Sequence, residues 1–412
     1  MKITRGYVFA ALKQYSLSRV NTPLHLAHFN SRPRSMSNSK SNTNDGDDTT
    51  GTPSLPTKAY DYPLIDVDCN LIHPDLILML SPSPTYYPYD EKAKSKFLNI
   101  LHHPSTSLSN IQGMFSPSST IEEAEEFHEA LLQSNAETRN NVNIRMSVGI
   151  HPYHTSIKEI GSFDSEGNNV QSKIQSLLQR DAAADDNHDG RYITCIGETG
   201  LDYSDGFPER EEQLPWFEFQ LQQAKEYNMP IFIHERLAFQ DTIELIDRVF
   251  PRGDTNNNNN NHPPKIIVHC FTGKTNELKE YISRGYFISV SGYILKSGDG
   301  PDEINQCLKD GIIPLDKLMI ETDAPYMGFN TCRESYYNIE SIINDEFNTL
   351  KSKKRKSLIK GIYPNVPAAL PKVLEHVVET MNVGKKERGE DELSVEMVAS
   401  TFFNTSQSFF GF

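Results

Sequence analysis

The sequence predicts an α/β fold, a TIM-type (β/α)8 barrel that follows a disordered N-terminal extension. From Tyr60 onward, short runs of β-branched and aromatic residues alternate with longer polar or helix-patterned stretches, which favours β/α units on a parallel sheet. Eight such runs can be counted, and eight βα units are the number that closes a barrel. No similarity recurs at a fixed period of about 20 to 50 residues, so a solenoid is excluded.

The predicted strands are short apolar runs, of which the second is the least distinct because residues 81–110 before it are irregular. They cover residues 62–71, 111–115, 143–151, 191–198, 229–234, 264–270, 286–292 and 317–323. Helices are predicted over residues 121–134, 210–228 and 275–285, where apolar residues recur at spacings of three and four.

The first 58 residues are predicted to be a leader and linker, and residues 59–412 to be the folded domain. Residues 1–44 contain no Asp or Glu but seven basic residues, a composition typical of a mitochondrial transit peptide. An ordinary disordered tail has the same composition, so both interpretations stay open. Residues 37–56 are too polar to offset the entropy of ordering, and Asn256–Asn261 reads as an expanded surface loop.

Composition limits the class of protein. The net charge of -15 disfavours a protein that coats DNA electrostatically, but it does not exclude a nuclease whose cation supplies positive charge locally. Five scattered cysteines without a CxxC pair disfavour disulfides and zinc ribbons. We therefore expect a cytoplasmic or nuclear protein, or a mitochondrial one if the leader directs import. We expect no membrane association, because the apolar run at residues 7–12 is far shorter than the roughly 20 residues of a membrane span. We also expect no stable protein partner.

Ionisable residues stand at the ends of five predicted strands: His151, Glu198, His234, His269 and Asp323. In a barrel these ends meet at one mouth, where the active sites of such folds lie. Imidazoles and carboxylates together form a ligand set for a divalent metal, which can activate a bound water for hydrolysis. Asp323 is placed to take the proton of that water or to hold the metal, with a helix N-cap as its competing role.

Several strings resemble the TatD-related family of metal-dependent deoxyribonucleases, most closely its eukaryotic TatD domain-containing branch. They are GIHPYH (149–154), GETGLDY (197–203), FEFQLQQAKEYNMPIFIHER (217–236), HCFTG (269–273) and ETDAPYM (321–327), in the order typical of the family. The resemblance implies an amidohydrolase-like TIM barrel and a divalent-metal nuclease that acts on DNA ends. It also implies that Glu198 binds metal and takes part in catalysis, and that Asp323 is a ligand or general base.

The same resemblance implies that His234 and His269 are metal ligands and that Arg236 pairs with substrate phosphate, a bidentate task suited to guanidinium. His151 would line the mouth and contact substrate. One departure matters, because many relatives carry HxH after the first strand, where this chain has Asp68 and Asn70. Asp68 could still supply an oxygen ligand, so we expect Mg in preference to Zn, with Mn also open.

The resulting hypothesis is a metal-dependent hydrolase, a 3'-5' exodeoxyribonuclease whose substrate is a DNA end or single-stranded DNA. One alternative is a D-aminoacyl-tRNA deacylase or another ester or amide hydrolase on the same metal site. Another is a partner-binding protein without catalysis, which the missing HxH motivates.

Two further features of the sequence have open interpretations. The basic run at residues 351–356 is either a solvated or nuclear-localisation-like loop or a contact for phosphates. Tyr153, Tyr203, Phe271 and Tyr326 follow the strand-end motifs and either stack on a terminal base or cap the barrel rim.

Overall fold

A computed structural model describes residues 60–80, 96–184, 190–251, 263–333 and 362–412. The predicted leader and linker, the Asn256–Asn261 loop and the basic run at residues 351–356 lie outside these ranges, so what we expect of them stays a prediction.

The fold is the predicted barrel, built on one eight-stranded parallel sheet in which the strands follow chain order. The strands are β1 (Leu64–Asp66), β2 (Ile111–Ser116), β3 (Asn143–Val148), β4 (Ile193–Asp202), β5 (Ile231–Arg236), β6 (Ile266–Val268), β7 (Phe287–Val290) and β8 (Leu318–Ile320). Just beyond β1 and β8 the chain nearly closes the circle, through a parallel bridge between Cys69 and Ala324. The amide of Asp323 also donates to the carbonyl of Asp68 at 2.8 Å.

Helices follow the strands, and the three predicted helices are confirmed within two residues at each end. In chain order the helices of the described residues are α1 (Pro74–Leu80), α2 (Leu98–Leu101), α3 (Pro104–Leu108), α4 (Ile121–Leu132), α5 (Ile157–Ile160), α6 (Phe163–Ala184), α7 (Arg210–Tyr227), α8 (Phe239–Val249), α9 (Thr275–Ser283), α10 (Asp299–Lys309), α11 (Leu370–Arg388) and α12 (Val395–Phe410). None of them combines the length and apolar character that a bilayer span requires.

Strand β4 is longer than the sequence predicts, because it continues four residues past Glu198 to Asp202. Two glycines make this extension possible. Gly197 and Gly200 have φ values of +145° and +144°, and a Cβ atom there would lie 2.5 Å from the Phe232 carbonyl oxygen and 1.8 Å from that of His234. Only glycine allows the backbone of β4 to stay this close to β5.

The barrel interior is filled by apolar side chains from most of its strands, and α12 closes its amino-terminal end. The interior cluster contains Ile65, Val67, Phe115, Cys195, Phe232, Ile267 and Met319, together with Phe409 and Phe410. The Phe410 ring lies 4.3 Å from that of Phe115, and the Phe409 ring 5.1 Å from that of Phe287 at the start of β7. The opposite, carboxyl-terminal end of the barrel therefore carries the polar groups.

Candidate active site at the carboxyl ends of the strands

The structure brings the predicted strand-end residues to one mouth, although not all of them end a strand. Glu198 and His234 lie inside β4 and β5, and His269 directly follows β6. His151 and Asp323 each come three residues after their strand. Backbone contacts fix two of these positions, since the Glu198 amide donates to the Ser118 carbonyl at 3.1 Å and the His151 amide to that of Ser119 at 3.0 Å.

Three imidazoles converge on a single oxygen of Glu198. Nε2 of His269 lies 2.8 Å from Glu198 Oε1, Nδ1 of His234 lies 3.1 Å from it, and Nε2 of His151 lies 3.3 Å from it. Burial by itself would raise the pKa of Glu198, but His151 and His269 outweigh it and hold that pKa well below its usual range. Glu198 is therefore an ionised carboxylate at the centre of the mouth.

The second nitrogen of each imidazole has a different partner, and these partners decide which nitrogen carries the proton. Nε2 of His234 lies 2.9 Å from Oδ2 of Asp202, so it donates and leaves Nδ1 with its lone pair toward Glu198. Nδ1 of His151 instead accepts from the Tyr153 amide at 3.2 Å, which places the proton on Nε2. In the neutral form His234 is therefore suited to bind a cation beside Glu198, whereas His151 faces the same point as a donor.

His269 resembles His234 with its two nitrogens exchanged. Its Nε2 faces Glu198, and its Nδ1 lies 2.9 Å from Oδ2 of Asp68 and 3.6 Å from Oε1 of Glu321. All three side chains are buried. Neither Nδ1 of His269 nor these oxygens of Asp68 and Glu321 has a hydrogen-bond partner with good alignment among the described residues.

Buried carboxylates outnumber the imidazoles that could neutralise them. The pKa of Asp323 is raised to about 7, first by burial and then by Glu321 and Glu198, while His269 acts against them. The pKa of Asp68 is also raised well above its usual range, first by burial and then by Asp323. Burying several carboxylates together raises the free energy of the folded protein unless positive charge compensates them, and a bound cation supplies that charge.

The donor set therefore fits a divalent cation. Imidazole nitrogen and carboxylate oxygen are ligand types that Zn, Mn and related ions accept. His151, Glu198 and His234 form one group whose ligand atoms lie within 4.8 Å of one another, and Asp68, His269 and Glu321 form another. The buried ligand atoms of the second group make no well-aligned hydrogen bond among the described residues.

Asp323 is held by its backbone at both sides. Its amide donates to the Asp68 carbonyl at 2.8 Å, and its own carbonyl accepts from the Tyr326 amide at 2.6 Å. Its φ of +50° lies in the left-handed region, which is uncommon for non-glycine residues although Asp adopts it more readily than most. Residues 321–333 contain no helix, so the competing role as a helix N-cap is wrong.

Beside the candidate ligands lie an exposed arginine and several aromatic rings. Arg236 is exposed, two residues beyond His234 on β5, and its side chain has no ion pair within the described ranges. The ring of Phe207 stacks on that of His234 with centroids 6.2 Å apart, and it meets the ring of Tyr153 edge-on at 5.5 Å. These two rings form an aromatic rim beside His234.

The other aromatic residues considered from the sequence are less suited to stack on a base. Phe271 is buried, with 3% of its surface exposed, so its ring is not available to stack on a base in this structure. The hydroxyl of Tyr203 donates to Asp241 at 2.5 Å, and that of Tyr326 contacts His73 at 3.1 Å. Both of these tyrosines are half-buried.

Sequence reasoning missed Asp202, Glu321 and Phe207. Asp202 and Glu321 belong to the GETGLDY and ETDAPYM strings, but the sequence shows no imidazole partner for either carboxylate. Asp202 stands four residues past Glu198, and only the extension of β4 brings it beside His234. Phe207 lies in the loop before α7, where no pattern distinguishes it from other loop aromatics.

Comparison with known proteins gives the family. A family model described as TatD related DNase matches residues 91–411. The chain belongs to this family. The predicted family and fold are thus confirmed, and the description of the family as DNases agrees with the predicted class of enzyme, a hydrolase of ester bonds.

Several curated relatives are bacterial proteins named as exonucleases. A protein of Escherichia fergusonii named 3'-5' ssDNA/RNA exonuclease TatD is 36% identical over 135 residues, which are 33% of this chain and 47% of that protein. A protein of the same name from Erwinia tasmaniensis is 29% identical over 181 residues, 44% of this chain and 58% of its own. This chain thus spans about half the length of the curated relatives that it matches.

Two solved structures share the fold. A TatD family hydrolase from Entamoeba histolytica has a TM-score of 0.57 and 19% identity, with 85% of this chain and 98% of that one covered. An uncharacterized amidohydrolase from Saccharomyces cerevisiae has a TM-score of 0.58 and 22% identity, with 85% and 100% covered. At these identities the likeness concerns the fold.

Proposed function

We propose that the protein is a metal-dependent 3'-5' exonuclease that hydrolyses the terminal phosphodiester bond of single-stranded DNA. The observation that carries this proposal is the convergence of three imidazole nitrogens within 3.3 Å of Glu198 Oε1, with the exposed Arg236 on the same strand as His234. Membership in a DNase family and the names of the bacterial relatives support the choice of bond.

In this proposal Glu198, His234 and His269 would hold the cation, and the nitrogens that face Glu198 Oε1 are Nδ1 of His234 and Nε2 of His269. A divalent ion in such a site lowers the pKa of a bound water and polarises a phosphoryl oxygen. Asp323 accepts the proton of the attacking water, and its backbone contacts keep the carboxylate in place. Two imidazole nitrogens in this set favour Mn or Zn, and Mg, the ion expected from the sequence, is the one to compare with them.

Two residues are assigned to the substrate. His151 keeps its proton on Nε2 because Nδ1 accepts from the Tyr153 amide, so it donates to a phosphate oxygen and does not bind the cation. Arg236 offers a guanidinium at the exposed end of β5, where it pairs with the phosphate next to the scissile bond. The rim formed by Tyr153 and Phe207 receives the terminal base.

The test uses the full-length protein, stripped with EDTA and reconstituted with Mg, Mn or Zn. Oligonucleotides labelled at the 5' or the 3' end, of DNA and of RNA, report direction and sugar preference, and a D-aminoacyl-tRNA reports deacylation. We expect mononucleotides released from the 3' end of single-stranded DNA, and loss of this activity in Glu198→Gln. Deacylation without nucleotide release would overturn the nuclease in favour of the alternative hydrolase, and no metal-dependent hydrolysis of any substrate would favour the non-catalytic one.

Arg236 supplies a second test. Arg236→Lys retains the charge but loses the bidentate geometry, so we expect KM to rise at least severalfold while the cation affinity stays unchanged. An unchanged KM would remove Arg236 from the substrate site.

A further inference from the structure

Where many relatives carry the two histidines of the HxH motif, this chain has Asp68 and Asn70, and neither residue contacts Glu198. Asn70 donates its side-chain amide to the carbonyl of Ala324 at 3.2 Å, so it takes part in closing the barrel between β1 and β8. Asp68 has no exposed surface, and its carboxylate faces Nδ1 of His269 at 2.9 Å. Neither of these contacts is made to Glu198.

The imidazole of His269 separates Asp68 from Glu198. Its Nε2 lies 2.8 Å from Glu198 Oε1, while Asp68 approaches Nδ1 on the other side of the ring. The two ring nitrogens point in different directions. A single cation therefore cannot bind both the Asp68 and the Glu198 carboxylate while the His269 ring lies between them. A neutral imidazole that binds a cation through Nε2 carries its proton on Nδ1, where it needs an acceptor.

Asp68 is the nearest acceptor for that proton. Both of its oxygens are buried, and neither they nor Nδ1 of His269 makes a well-aligned hydrogen bond among the described residues, so Oδ2 of Asp68 at 2.9 Å is the closest carboxylate to this nitrogen. Glu321 is a weaker acceptor at 3.6 Å, and its other oxygen already accepts from the Ser289 hydroxyl at 2.6 Å. The Asp202 carboxylate has the same relation to His234, at 2.9 Å from Nε2.

We propose that Asp68 is a positioning residue, which accepts the Nδ1 proton of His269 and directs Nε2 toward the cation, so that this chain holds one cation and not two. The proposal rests on the cation site of the proposed function, but not on its substrate. Asp68 and Asp202 then form a matched pair, each a carboxylate that orients one imidazole ligand. A carboxylate partner of this kind fixes both the tautomer and the ring orientation of a ligand histidine.

The first experiment counts cations. The full chain, dialysed against EDTA and titrated with Mn or Zn in a calorimeter, is expected to bind one equivalent. Asp68→Asn is expected to bind one equivalent still, at least 10-fold more weakly, because an outer-shell carboxylate typically contributes about 10–100-fold to affinity. The control is Asp181→Asn, whose carboxylate contacts Nε2 of His128 at 2.9 Å away from the candidate ligands, and for which we expect a change of less than threefold.

The second experiment reads the tautomer directly in the wild-type protein, so it does not depend on whether a variant folds. Long-range ¹H–¹⁵N correlation spectra of the Zn-loaded protein are expected to show His269 protonated at Nδ1 and coordinated through Nε2. Asp68→Asn should lose this pattern for His269 while His234 keeps its own.

The outcomes separate this proposal from the proposed function. Two equivalents in the wild type, one of them lost in Asp68→Asn, would overturn the proposal, because Asp68 would then be a ligand. Coordination of His269 through Nδ1 would overturn it as well. One bound equivalent without nuclease activity would leave Asp68 in its role and refute only the nuclease.

Discussion

The replacement of Asp202 by Asn should weaken cation binding through the tautomer of His234. Oδ1 of Asp202 accepts from the Ser204 amide at 2.8 Å, and Oδ2 accepts from Nε2 of His234 at 2.9 Å. An Asn at this position keeps its carbonyl oxygen against the Ser204 amide and turns its NH2 group toward His234. That group donates to Nε2, so the imidazole proton moves to Nδ1, the nitrogen that faces Glu198 at 3.1 Å.

The magnitude follows from this change of proton position. Nδ1 of His234 cannot bind a cation while it is protonated, so the variant must either use the unfavourable tautomer or lose the hydrogen bond. Changes of this kind in the outer shell cost about 10–100-fold in metal affinity, or about 1.4–2.7 kcal/mol. We expect the Kd for Mn or Zn to rise by that factor.

The assay is a competition titration against a fluorescent chelator, with thermal unfolding of the cation-free protein measured in parallel. Asp181→Asn is the matched control, because Asp181 Oδ1 contacts Nε2 of the buried His128 at the same distance of 2.9 Å. Neither residue of this pair contacts the candidate ligands, so the control should lower stability but leave the Kd unchanged.

Two results would refute this reasoning. A Kd for Asp202→Asn within twofold of the wild type would show that the Asp202 contact does not set the tautomer. An equal loss of affinity in Asp181→Asn would show that the effect comes from general destabilisation.

Three further predictions concern stability. Phe410→Ala removes a fully buried ring from the amino-terminal end of the barrel and should cost about 3–5 kcal/mol in urea unfolding, with a loss below about 1 kcal/mol contradicting its role in the core. Burial lowers the pKa of His103 from 6.5 to about 4. The neutral imidazole therefore contributes its full share to the free energy of unfolding above pH 6.5, and this contribution is lost as the pH falls toward 4. His103→Asn keeps an N-cap acceptor for α3 and should reduce the loss of stability between pH 7.5 and 5 by about 2 kcal/mol; an unchanged pH dependence would contradict this. Leu237 is 74% exposed at a φ of +56°, so Leu237→Asn should raise the free energy of unfolding by about 0.5–1 kcal/mol, and a decrease would contradict the strain.

Much of the fold could be predicted because the pattern of a βα unit is local. Each strand is a short apolar run, and each helix shows its own spacing of apolar residues, so the count of eight units needs no tertiary information. The boundaries were less accurate. The extension of β4 to Asp202 depends on close contact of Gly197 and Gly200 with β5, which involves residues more than 30 positions away.

The amino-acid sequence by itself determined which chemical groups stand near the carboxyl ends of the strands, because a parallel barrel sends every such end to one mouth. It could not determine which nitrogen of each histidine faces Glu198, nor that Asp68 and Asp202 lie behind two of the imidazoles. Those relations arise between side chains on different strands, at separations such as 2.9 Å between His269 and Asp68. The orientation of each imidazole is set by these neighbours and not by its position along the chain, so only the tertiary structure decided it.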